Sequence, residues 1–125
     1  MLVLVINMML SSGKFVKNPQ LILRYVEELK KRGIDTEPVT PSSKELELVE
    51  AAARRGESLL SVLEKLVNLF KSRIIGEIAR EVAKEVLGQD LDEDTATYLI
   101  ARELAGWVLE IAEALNIIRI SNALR

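Results

Sequence analysis

Residues 57–87 read ESLLSVLEKLVNLFKSRIIGEIAREVAKEVL, and within them Leu59, Leu63, Leu66, Phe70, Ile74, Ile78, Val82 and Val86 recur every three or four residues. That spacing is the period of one helical face. Leu60, Val67, Ile75 and Ala79 widen the stripe beyond a coiled-coil seam into the broad face of a bundle helix. About 30 residues at 1.5 Å each would run roughly 45 Å, longer than a chain of this size needs. The stretch therefore predicts one long central helix, the spine of the fold. It is expected to bend or break between Lys71 and Gly76, with Ser72 and Gly76 as the small residues that permit it.

Helix signals continue on both sides of this stretch. Towards the N-terminus, Asn18-Pro19 places a capping residue before a proline at the first helical position, and Leu21, Ile22, Tyr25, Val26 and Leu29 follow at helical spacing. A helix over 19–32 results, with Lys30, Lys31 and Arg32 in its last turn and Gly33 beyond it. A second helix over 42–55 has two competing starts, Thr40-Pro41 and the capping box of Ser42 with Glu45, and stops at Arg54-Arg55-Gly56. Towards the C-terminus, Gly88 ends the spine and Asp92 caps a last helix over 93–115, whose buried face is Leu99, Ile100, Leu104, Trp107, Val108, Ile111 and Leu115.

The two ends of the chain read differently. Leu2–Ile6 is a short continuous apolar run followed by Ser11-Ser12-Gly13, the pattern of a buried strand over 1–10, with a frayed first helix as the competing reading. The tail Ile117–Ile120 alternates weakly and reads equally as a strand partner for the N-terminus or as a further helical turn. The fold class is therefore mainly α: one domain over 1–125, a bundle of four or five helices with one long central helix and a minor N-terminal strand element.

Composition agrees with that architecture. The chain has 125 residues, 49% hydrophobic and 29% charged, a globular balance, and only 4% aromatic, so its core is built from Leu, Ile, Val and Ala. There is no Cys and no His. Disulfides, thiolate or imidazole chemistry and His- or Cys-ligated metals are thereby excluded, leaving carboxylates, Lys, Tyr, Ser and Thr. Frequent Glu, Lys and Arg without Cys matches the compositional drift of thermophile proteins. No Lys or Arg precedes the first apolar run, which argues against an export signal, and no apolar stretch is long enough to span a bilayer. The expectation is a cytoplasmic protein without a membrane partner.

Three motif-like constellations fail on their chemistry. Asn7–Lys14 resembles a phosphate-binding loop, but the first glycine is absent and Phe15 stands where a hydroxyl would hold magnesium. Asp90, Asp92 and Asp94 match the first ligand positions of a calcium loop, but Thr95 replaces the turn glycine and Ala101 the closing glutamate, so helix capping is the simpler role. Glu81 with Glu85, and Glu110 with Glu113, lie one turn apart and read as solvated helix faces. No catalytic residue, cofactor, metal or small-molecule ligand follows from the sequence, and the expectation is a non-enzyme.

Charge distribution and helix faces carry the functional reading. Residues 1–33 hold six Lys or Arg against two Glu, a net of +4, while 89–125 hold three against seven, a net of −4. Such polarity suits a basic patch for nucleic-acid phosphates or a contact between copies; alternatively, the two ends attract within one fold. The leading expectation is a self-associating accessory or assembly protein, because the apolar stripe of 57–70 exceeds what one bundle face buries. Phe70, Ile74 and Trp107 are its candidate interface residues. The alternative is a nucleic-acid-binding accessory subunit of a ribonucleoprotein complex that contacts RNA or DNA through Lys14, Lys17, Arg24, Lys30 and Lys31.

Overall fold

The computed structural model describes residues 14–117, and within them the chain is a bundle of five α-helices. They are α1 (Pro19–Lys31), α2 (Ser43–Arg54), α3 (Leu59–Lys71), α4 (Gly76–Leu87) and α5 (Glu93–Ala114), with a short 3₁₀ turn at Glu37–Val39. The strand expected over 1–10 and the pairing proposed for the tail beyond Ile117 lie outside the described residues. No helix among the described residues is long and apolar enough to cross a membrane.

Local chemistry sets most helix ends. Pro19 occupies the first turn of α1, although the Asn18 side chain makes no capping bond. At the other end of α1, Gly33 takes φ 69°, donates to Lys30 O at 3.1 Å, and lets Ile34 N–H close on Leu29 O at 2.9 Å. That left-handed residue satisfies carbonyls the helix would leave open. The start of α2 is the capping box: Ser42 Oγ accepts the Lys44 N–H, and Glu45 Oε1 accepts the Ser42 N–H at 2.7 Å. Asp92 caps α5 by accepting the Thr95 N–H at 3.4 Å.

The long central helix expected over 57–87 is instead two helices. Between them Ser72 closes α3, Ile75 is extended at φ −87° and ψ 108°, and α4 begins at Gly76. The break falls inside the Lys71–Gly76 window, and a tertiary contact fixes it. Tyr25 in α1 accepts the Ile75 N–H on its phenolic oxygen at 2.9 Å, supplying the partner that the interrupted helix lacks.

The spine is α5. It packs against each of the other four helices, and every residue from Glu103 to Glu110 is buried. The surrounding core includes Ile22, Tyr25 and Leu29 of α1, Leu66 and Phe70 of α3, and Ile78 and Val82 of α4.

Candidate functional site

Two glutamates of α5 are inside the protein, and one of them, Glu110, reads from sequence with Glu113 as a solvated helix face. Glu103 is 4% exposed and Glu110 is 3% exposed, and both hold the segment Lys14–Asn18 along α5. Glu110 Oε1 accepts the Phe15 N–H at 2.6 Å, Glu103 accepts the Lys17 N–H at 3.0 Å and the Asn18 N–H at 2.5 Å, and Arg102 donates to Phe15 O at 3.2 Å. Gly106, midway between the glutamates, allows the approach: a Cβ there would stand 2.8 Å from Phe15 O. This strap ties the N-terminal segment to the spine through backbone groups, so its sequence carries no motif for it.

Among the described residues a groove of about 430 Å³ lies open between α3 and α5. Leu60, Leu63, Glu64, Val67, Asn68 and Lys71 line it from α3, where steps of three and four residues put them on one face. Tyr98 and Arg102, one turn apart, line it from α5. Leu63 and Val67 belong to the apolar interior or pack on its edge, whereas Leu60 is 66% and Tyr98 47% exposed. Apolar side chains of that size left in water beside a concave apolar floor suit contact with another apolar surface. Glu64 and Lys71, at the groove's edge, enter no ion pair among the described residues.

The candidate interface residues occupy other places. Phe70 has no exposed surface and Trp107 is 2% exposed, so both are core residues and neither is available to another chain. This corrects their assignment: the stripe on α3 is wide, and the bundle uses Val62, Leu66, Val67 and Phe70 while leaving Leu60 outside. Ile74 is half-buried at the break between α3 and α4, packed on the core.

The candidate nucleic-acid residues lie in the strap and along α1, and carboxylates pair with two of them. Lys14 pairs with Glu113 at 2.8 Å, and Lys17 Nζ donates to Lys14 O at 3.3 Å. Arg24 pairs with Glu85 at 2.6 Å and Glu27 at 3.0 Å, and the hydrogen bond it donates to Glu85, then that to Glu27, raises its guanidinium pKa above the ordinary value. Lys30 and Lys31 are exposed at the far end of α1, about 17 Å from its start. The opposite charges of the chain's two ends thus meet within the fold at Lys14 and Glu113, as one reading of the polarity expected.

Asp90, Asp92, Glu93 and Asp94 form an acidic mouth beside Arg80, and two of the four have partners within the fold. Asp92 caps α5, and Asp90 pairs with Arg80 at 3.4 Å. Among the described residues no group of three or more carboxylates is arranged to hold a metal ion. No family model matches the chain, and no curated protein or solved structure matches it.

Proposed function

We propose that this chain is a non-enzymatic accessory subunit that assembles with copies of itself through the groove between α3 and α5. The observation that carries this reading is the exposure of Leu60 and Tyr98 on either side of an apolar floor. Covering large apolar side chains is favourable by about 25 cal/mol per Å² of apolar surface, and no element among the described residues covers these two. The nucleic-acid reading draws less support, because carboxylates already pair with Lys14 and Arg24.

Sedimentation equilibrium tests the proposal. The native chain should exceed its 14.0 kDa monomer mass, and the excess should persist in high salt because the contact is apolar. Leu60→Glu should return the mass to that of a monomer with helical circular dichroism unchanged. A native chain that is monomeric at every accessible concentration would overturn the reading.

A further inference from the structure

Chain direction links the strap to the groove between α3 and α5. A Cβ on Gly76, the first residue of α4, would stand 2.6 Å from Glu93 Oε1, so the end of α3 lies beside the start of α5. The two helices pack along each other and therefore run antiparallel, with the Leu60 end of the groove toward the C-terminal half of α5. The strap lies along that same half: Lys14 pairs with Glu113, the Phe15 N–H donates to Glu110, and the N–H groups of Lys17 and Asn18 donate to Glu103. Arg102 belongs to both features, since it lines the groove and donates to Phe15 O at 3.2 Å. The residues before Lys14 thus start from Glu113, on the Leu60 side of the groove.

We propose that the apolar residues Leu2–Ile6 return over their own chain and fill this groove, so that a second copy must displace them to reach it. Chemistry supports the match. Nine of residues 1–10 are apolar and none is charged, whereas the other concave surfaces described, at Asp90–Asp94, around Asp35 and Arg73, and between Glu77 and Asp90, are lined mainly by charged side chains. Ser11-Ser12-Gly13, small residues that suit a turn, stand where the chain must reverse between strap and groove. Lengths agree as well. Five extended residues span about 17 Å, the α3 face from Leu60 to Lys71 is also about 17 Å long, and Asn7–Leu10 bridge about 13 Å from the turn.

Tethering decides between the chain's own segment and a second copy in dilute solution. A short linker holds its segment at an effective concentration in the millimolar range, far above that of a second copy. A segment docked for about nine-tenths of the time weakens association with a second copy by at least about tenfold. The docking stands without the self-association reading, whereas the competition rests on it.

Cysteine pairs read the docking directly, because the native chain has no Cys. Val3→Cys, Leu4→Cys or Val5→Cys is combined with Asn68→Cys, at an exposed position lining the groove, and in controls with Lys44→Cys, exposed on α2. Under mild oxidation of a dilute sample, at least one Asn68 pair should form a disulfide within a single chain about tenfold faster than its Lys44 counterpart. A disulfide found only at twice the monomer mass places the segment in a second copy's groove and overturns the proposal. No pair faster than its control overturns it as well. Leu4→Glu together with Val5→Glu puts a charge on both faces of an extended segment and should free the groove. Sedimentation velocity up to about a millimolar should then show self-association at least about tenfold tighter than native, with the same circular dichroism. An associating chain whose dissociation constant this double variant leaves unchanged overturns the competition. Native and variant chains that both stay monomeric fail the self-association reading, while a single-chain disulfide still supports the docking.

Discussion

The phenolic oxygen of Tyr25 accepts the backbone N–H of Ile75 at 2.9 Å, which links α1 to the break between α3 and α4 across 50 residues of sequence. Burial, the larger influence, pushes the phenol's pKa above its ordinary 10.0, while the bond from Ile75 pulls it down. The hydroxyl is therefore neutral throughout the physiological range. Tyr25→Phe keeps the ring in the core and removes the acceptor, leaving an unpaired N–H at a partly buried position. The expected loss is about 1–3 kcal/mol of stability. Urea unfolding followed by the fluorescence of Trp107, the sole tryptophan, measures it. A change under about 0.5 kcal/mol, the size of an ordinary surface substitution, would mean that the bond does not stabilise the break.

The strap makes a ranked prediction. Glu110→Ala leaves the buried Phe15 N–H without its acceptor, whereas Glu110→Gln keeps a carbonyl oxygen within reach. Alanine should cost about 1.5–3 kcal/mol and glutamine distinctly less. Gly106→Ala supplies the control on geometry. Alanine favours a helix interior by about 1 kcal/mol over glycine, yet its Cβ would meet the Phe15 carbonyl at 2.8 Å. Net destabilisation on Gly106→Ala is expected, and a gain in melting temperature would show that the strap is not held as described.

What the sequence made legible was local. Ser42 with Glu45, Asp92 and Gly33 mark helix ends because capping involves residues within a turn of one another, and Gly76 marks the break as a small residue that permits an interruption. The identity of the spine was hidden. Glu110 reads with Glu113 as the solvated side of α5, and the burial of Glu103 and Glu110 depends on backbone N–H groups 85 to 95 residues away, which no local pattern reports. The outermost member of a wide apolar stripe was hidden as well. Periodicity places Leu60 and Phe70 on the same broad face, and the packing of α5 decides which of them is covered.

Acid stability should depend on two carboxylates in different ways. Burial pushes the Glu45 carboxyl up, but the Ser42 hydroxyl and N–H, followed by Arg73, outweigh it and hold the group below its ordinary 4.5. Hydrogen bonds from Lys65 and then Arg55 hold Glu57 at about 2. A depressed value means that the folded chain binds fewer protons than the unfolded one. Each contribution is therefore complete above 4.5 and is lost as pH falls through the folded value. The Glu57 side chain is 18% exposed and its partners Arg55 and Lys65 are exposed, so salt screens the pairs in part, and Glu57→Gln should flatten the acid limb more at low ionic strength than at high. Glu45→Gln should lower stability at neutral pH and flatten the acid limb in both conditions, because the Glu45 side chain is shielded from solvent. Urea midpoints taken between pH 5 and pH 2 at two salt concentrations separate the two; equal salt sensitivity would contradict the assigned roles.

Phe70 and Leu60 provide the sharpest separation of core from interface, because they lie on the same helix and differ in exposure from 0% to 66%. From periodicity alone, a charge at Phe70 should split an assembly and leave the fold intact. The packing reverses that expectation. Phe70 is enclosed, with the Arg73 guanidinium 5.7 Å from its ring centroid, and replacing a buried phenylalanine even with alanine typically costs about 3–5 kcal/mol. Phe70→Glu adds an unpaired buried charge to that loss, which exceeds the margin of many small domains, so the variant should lose its helical circular dichroism. Leu60→Glu exchanges one exposed side chain for another and should shift stability by no more than about 0.5 kcal/mol. Its effect should fall on association, since a carboxylate at the groove's edge must be desolvated whenever a second apolar surface covers it. Circular dichroism and sedimentation on the two variants settle the matter jointly. A folded Phe70→Glu chain would mean that α3 is rotated from the orientation described, and an unfolded Leu60→Glu chain would mean that Leu60 belongs to the core.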